Sequence, residues 1–357
     1  MDCKALICGV AGLSLLDEEI DFIAQHRPWG FILFARNVDT PQQVLALTQQ
    51  MRTASGRQTV PIFIDQEGGR VQRLRPPHWH SYPAAQVLGQ IHEQDEQAGL
   101  RATWLVSRLH AFDLGALGIY ADCLPVLDVP VAGSHNVIGD RAYATAPDLV
   151  AKLGQAACEG VMAGGVQPVI KHIPGHGRAK ADSHHDLPVV DTDRTTLEAT
   201  DFAPFAALNT IPMAMTAHVI YAAIDPSNPA TTSRVVMDEI VRGYMAYDGL
   251  VMCDDITMGA LSGDLASRTR ATLSAGCDIV LHCTGKMDEM EQVAEAAVPL
   301  EGAALARAER ALQGMGPKHA DQSVEADCRA ELDEILKRYA PARMAGGGAD
   351  PTKYGRT

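Results

Sequence analysis

At 357 residues and 38.2 kDa, with 46% hydrophobic and 21% charged residues, the chain has an ordinary globular composition and length enough for one large core or two modest ones. Its formal net charge of -14 argues against nucleic acid as a main partner, because phosphate binding needs a basic face. No apolar run reaches the length of a membrane-spanning helix, and the opening Met1-Asp-Cys-Lys stretch is too short and too early for a secretory signal.

Eight short runs rich in Val, Ile, Leu and Phe follow in chain order: Ala5 to Ala11, Gly30 to Ala35, Val60 to Asp65, Cys123 to Val129, Val166 to His172, Pro212 to His218, Leu250 to Asp254 and Asp278 to His282. Helical patterns lie between them, among them Asp17 to His26, Pro41 to Ala54, Asp148 to Ala163, Thr196 to Leu208 and Ser233 to Met245. This alternation predicts an α/β fold, a single (β/α)8 TIM barrel over residues 1–340 with its active site at the C-terminal ends of the strands. A doubly wound open sheet is the alternative. No G-x-G-x-x-G or P-loop follows the first run, however, and polar residues end many different strands. After a last helical pattern from Ala326 to Tyr339, residues 341–357 read as a disordered tail. The eight cysteines are scattered with no C-x-x-C pair, and read as small buried hydrophobes in a reducing cytoplasm.

Chemistry gathers at the strand ends. The third run closes on Asp65-Gln-Glu67-Gly-Gly-Arg70-Val-Gln-Arg73, where Asp65 can accept hydrogen bonds from substrate hydroxyls and either arginine can bind an anion or pair with Glu67. Asp128 ends the fourth run, and Arg141 follows it within reach of the same mouth. The fifth run leads into Lys171-His172-Ile-Pro-Gly-His176-Gly and on to Asp182-Ser-His184-His185-Asp186, a cation, four histidines and two carboxylates around glycines. A carboxylate beside an imidazole makes a workable general acid and base at neutral pH; Asp182 with His184 fits, and His185 with Asp186 fits in principle. His218 ends the sixth run as a core histidine or a site wall. In Cys253-Asp254-Asp255, one aspartate should project into the barrel mouth as nucleophile, base or metal ligand, and Asp255 better suits a capping role.

These motifs together resemble the bacterial β-N-acetylglucosaminidases of glycoside hydrolase family 3. They are Asp65 to Arg73, Lys171-His172-x-Pro-Gly-His-Gly, Asp182-Ser-His184 and Cys253-Asp-Asp-x-x-Met258. The resemblance implies a retaining double displacement with Asp254 as nucleophile and His184 as acid/base tuned by Asp182, while Asp65, Arg73, Arg141, Lys171 and His172 hold the N-acetylglucosamine ring. It implies as substrate a small molecule, the muropeptide-derived GlcNAc-1,6-anhydro-MurNAc with or without stem peptide, in cytoplasmic cell-wall recycling. The enzyme is then expected to be a monomer with no cofactor and no metal. Cys253 stands where the family commonly has Ser, Ile173 where Phe is frequent, and Arg178 where an acid is frequent. Three other readings carry less of the pattern: transfer to phosphate by the same site, a metal-dependent barrel hydrolase using His172, His176, His184, His218 and Asp254, and a non-catalytic sugar-binding protein.

Overall fold

The computed structural model describes residues 2–183, 186–318, 322–340 and 350. Eight strands form one parallel sheet: β1 (Lys4–Gly9), β2 (Pro28–Leu33), β3 (Ile62–Ile64), β4 (Ala121–Asp122), β5 (Gln167–Ile173), β6 (Met213–Thr216), β7 (Leu250–Met252) and β8 (Val280–His282). Each pairs with its sequence neighbours, β8 pairs with β1, and a parallel bridge from Met252 to Ile279 joins β7 to β8, so the sheet curls into a barrel. All eight are inaccessible to solvent at nearly every position, as expected of parallel strands covered on both faces. Among the described residues no helix is long and apolar enough to cross a membrane.

Two expected elements differ. The fourth strand is only Ala121–Asp122, not Cys123 to Val129, because Pro125 has no N–H to give the ladder. Pairing resumes beyond it, where Leu127 N donates to Lys171 O at 2.7 Å and Val126 bridges Lys171. The expected Thr196 to Leu208 helix is two pieces, Arg194–Ala199 and Ala203–Ala207, since Pro204 suits the first turn of a helix and not its interior.

The outer helices bury apolar faces against the barrel, and Glu96–Gly115 packs along Pro147–Ala163. Small residues set that approach: a Cβ at Gly160 would stand 2.4 Å from Trp104 O. The last helix, Gln322–Tyr339, packs on Glu96–Gly115 through Cys328, Leu332 and Leu336, and Tyr339 Oη donates to Asp95 Oδ2 at 2.7 Å. Residues 341–357, expected as a disordered tail, lie outside the described residues except for Asp350.

Candidate active site

The C-terminal strand ends converge on one pocket lined by Asp65, Arg141, Lys171, His172, His176 and Asp254, with Phe34 among its apolar walls. Residues that follow each other along a regular strand point to opposite faces, yet Lys171 and His172 both reach this pocket. The register explains it. Lys171 pairs with Met215 and Ile173 with the next residue, Thr216, so His172 is an extra residue in a bulge that turns its side chain inward.

Past Ile64 the chain folds into a hairpin, Gln66–Gly68 against Val71–Gln72, turning on Gly68 and Gly69 at φ 93° and 57°, where side chains are disfavoured. Gln66 Oε1 accepts from the backbone N–H of Arg73 and of Leu74, both at 3.0 Å, and this returns Arg73 to the site. Arg73 Nη2 lies 2.7 Å from Asp65 Oδ2, and Lys171 Nζ lies 2.9 Å from Asp65 Oδ1. Burial alone would raise the Asp65 pKa, but Lys171 and Arg73 outweigh it and hold the carboxyl well below its usual range. Glu67 has the same balance. Its burial is overcome by Arg141 and Lys171, which bring it down to about 2. Arg141 grips Glu67 with Nε and Nη2, each at 2.8 Å, while Lys171 Nζ stands 2.7 Å from Glu67 Oε1. Lys171 is pushed above its ordinary value, because the two carboxylates exceed the effect of burial.

Arg73 also carries a second carboxylate: its Nη1 lies 2.6 Å from Oδ2 of Asp350, and both side chains are almost fully covered. Counting Asp350, three buried cations here meet three carboxylates. Arg70, the other candidate arginine, is a strut. Its Nη2 donates to the carbonyls of Asn136, Val137 and Ile138 and its Nε faces Asp140 at 2.7 Å, which fixes the segment that presents Arg141.

Asp128 organises the other wall. Its Oδ2 lies 2.7 Å from His172 Nδ1, and its Oδ1 accepts from the backbone N–H of His176 at 2.6 Å and of His172 at 3.2 Å. The chain passes so close to Val129 that a Cβ at Gly177 would stand 2.1 Å from Val129 O. Burial lowers the His176 pKa to about 4, so its ring is neutral near pH 7. Its Nε2 lies 3.0 Å from Ser183 Oγ.

Asp254 follows β7, is partly exposed, and lines the pocket, with its Oδ1 accepting from Asp255 N at 2.8 Å. Asp255 is fully buried and structural: Oδ1 accepts from Thr257 N at 3.2 Å and from Cys283 N at 3.1 Å, tying the β7 and β8 loops together. His218 is a core histidine, its Nδ1 2.7 Å from Thr231 Oγ1 and its Nε2 3.0 Å from Asp255 O. Asp182 is partly buried in the loop after β5, and its carbonyl accepts from Asp186 N at 2.9 Å. His184 and the alternative His185 lie outside the described residues.

The structure thus brings Asp65, Arg73, Arg141, Lys171, His172 and Asp254 together. The sequence reading assigned Glu67 no site role, although a signal existed: Glu67 is two residues from Asp65, and alternate residues of an extended chain share a face. Among the described residues no three His, Cys, Asp or Glu side chains converge as a metal-ligand set, and the ring nitrogens of His218 and Nδ1 of His172 are engaged as above.

The model of the glycosyl hydrolase family 3 N-terminal domain matches residues 9–312. A β-hexosaminidase of Bordetella avium is 40% identical over 278 residues, 77% of this chain and 79% of that protein. A β-hexosaminidase of Alkalilimnicola ehrlichii is 40% identical over 282 residues, 78% of this chain and 80% of that protein. Among solved structures, NagZ from Neisseria gonorrhoeae in complex with N-trifluoroacetyl-D-glucosamine superposes with a TM-score of 0.84 at 31% identity, covering 94% of this chain and 98% of that one.

Proposed function

Because this chain belongs to glycosyl hydrolase family 3 and is a β-hexosaminidase, we propose that it removes non-reducing terminal β-N-acetylglucosamine with retention of configuration. The observation that carries this reading is one pocket in which Asp254 stands with Asp65, Arg141, Lys171 and His172, the residues proposed to hold the ring. The Neisseria NagZ, similar over nearly the whole chain, binds an N-acylated glucosamine, which supports a GlcNAc-type ring in this pocket.

In the proposed reaction Asp65 accepts hydrogen bonds from ring hydroxyls, while Lys171, Arg73, Arg141 and His172 donate. A carboxylate of Asp254 attacks the anomeric carbon and forms a glycosyl ester as the glycosidic C–O bond breaks. The leaving oxygen takes its proton from His184. In the second half His184 removes a proton from water, whose oxygen displaces Asp254 and regenerates the enzyme. An imidazole with an unperturbed pKa of about 6.5 can remain substantially protonated beside an ionised Asp182 at neutral pH, which lets histidine serve where most retaining glycosidases use a second carboxyl. Counting Asp350, the three cations of this buried cluster meet three carboxylates, so the cluster offers an incoming phosphate no surplus positive charge. Water is therefore the proposed acceptor. The proposed substrate is GlcNAc-1,6-anhydro-MurNAc, with or without stem peptide, in cytoplasmic cell-wall recycling, acted on by a single chain without cofactor or metal.

The test is release of 4-nitrophenol from its β-GlcNAc and β-glucoside derivatives without added metal, by the wild type, Asp254→Asn and His184→Ala. Fast cleavage of the GlcNAc substrate alone, abolished in the first variant and strongly reduced in the second, supports the reading. Cleavage indifferent to Asp254, or a fluorosugar ester trapped on another residue, overturns it.

A further inference from the structure

The loop that leaves β5 is pinned in steps. The backbone N–H of His176 donates to Asp128 Oδ1 at 2.6 Å, Ala179 N donates to His176 O at 3.1 Å, and His135 N donates to Ala179 O at 2.8 Å. The last pins before position 184 both fall on Ser183. Its Oγ lies 3.0 Å from His176 Nε2, and its carbonyl accepts from Ala260 N at 3.2 Å. Ser183 and His176 are 3% and 4% exposed, so water does not compete for their contact. Ala260 sits six positions beyond Asp254 on the segment that follows β7. Ser183 therefore fastens its loop on one side to the β5 wall and on the other to the segment carrying Asp254.

We propose that Ser183 is a positioning residue which, clasped between His176 and Ala260, holds the loop that carries the acid/base histidine beside the segment that carries Asp254; this rests on the reading of His184 as the acid/base. The Cα atoms of neighbouring residues are about 3.8 Å apart, so holding Ser183 restrains the loop next to the position of the acid/base. A retaining mechanism needs its two reacting groups roughly 5 Å apart, and a misplacement of about 1 Å can cost on the order of a hundredfold in rate. The Ser183 hydroxyl is a suitable fastener, because a hydroxyl can donate to or accept from the ring nitrogen of His176. The backbone contact of Ser183 ties it to the segment after β7, and the Oγ contact adds a second anchor on the side of His176.

The experiment compares kcat/KM on aryl β-GlcNAc substrates with good and poor leaving groups, which reports the step that needs acid. A 2,4-dinitrophenyl substrate departs with little protonation, and a 4-methylphenyl substrate needs the acid. Ser183→Ala should lose roughly three- to tenfold, the worth of one buried hydrogen bond, on the poor leaving group and less than about twofold on the good one. Ser183→Thr, which keeps the hydroxyl, should restore the loss. His176→Gln should act in the same direction and add nothing to Ser183→Ala in the double variant. Equal loss on both substrates, or no loss, overturns the positioning role. His184→Ala in the same series separates the two ideas. If it leaves the leaving-group dependence unchanged, the acid/base reading fails; if it steepens that dependence while Ser183→Ala does not, only the clasp fails.

Discussion

The ammonium of Lys171 lies 2.7 Å from Oε1 of Glu67, the same carboxylate that Arg141 grips with two nitrogens, so one acid joins the cation of β5 to that of the segment after β4. Both partners are almost fully covered, and their charges are stable there only because each supplies what water would have supplied. Removing the negative charge while keeping the shape should therefore be felt as an unbalanced buried cation. Glu67→Gln is expected to lower the free energy of unfolding by about 3 kcal/mol and to raise KM for GlcNAc substrates, as urea denaturation and steady-state kinetics would read. A variant as stable as the wild type would show that the ion network relaxes around the loss.

The same pair fixes a pH signature. The folded Glu67 carboxyl titrates at about 2, below its ordinary value of 4.5, so the unfolded chain binds this proton more readily than the folded one. Stability from this group is then fully present above pH 4.5 and is lost as pH falls toward 2. The stability advantage of the wild type over Glu67→Gln should be constant from neutrality to that point and shrink below it. Denaturation curves at pH 7, 5, 4 and 3 check this, and a difference that grew on acidification would reverse the assignment.

His176 too lies below its ordinary value. Burial lowers it to about 4, so its ring should stay neutral while exposed histidines gain protons near their usual value of about 6.5. In 15N-labelled protein one histidine signal, removed by His176→Gln, should remain in the neutral range from pH 8 to pH 5. A midpoint near 6.5 would mean that the pocket admits water to this ring.

The barrel was legible in the sequence because buried parallel strands are continuous apolar runs and seven of the eight begin and end within a few residues of those runs. The fourth was misplaced for a local reason, since Cys123 to Val129 is as apolar as its neighbours but Pro125 cannot donate, and the pairing moves to either side of it. Asp65, Lys171 and Asp254 could be read from their positions at strand ends. That Lys171 and His172 share a face could not, because the bulge that turns His172 inward is a matter of register with β6 and leaves no mark in the β5 sequence. The choice between Arg70 and Arg73 was equally hidden in the pattern of residues, and only the family resemblance favoured Arg73. It depends on the hairpin returning Arg73 to Asp65 while Arg70 meets the carbonyls of residues 136–138, which lie far along the chain.

Arg73 yields the remaining expectation. Its Nη2 holds Asp65 and its Nη1 holds Asp350, so an arginine proposed to bind the sugar already has a carboxylate of the same chain on the half of its fork not used by Asp65. A carboxylate is a stronger partner for guanidinium than a sugar hydroxyl, which carries no charge, and a hydroxyl must displace it or bind beside it. If displacement is required, part of the binding free energy of the substrate goes into breaking the Arg73–Asp350 contact, and weakening that contact should improve binding. Asp350→Asn keeps an oxygen acceptor but removes the charge. It is expected to lower KM for 4-nitrophenyl β-GlcNAc by roughly two- to fivefold with kcat little changed, since a charge-assisted hydrogen bond is about twice as strong as a neutral one. The wild type should show the same trend as salt is raised, to a smaller degree because the pair is buried. A higher KM in Asp350→Asn would mean instead that this carboxylate supports Arg73 or touches the sugar itself, and the contact would then belong to the binding site.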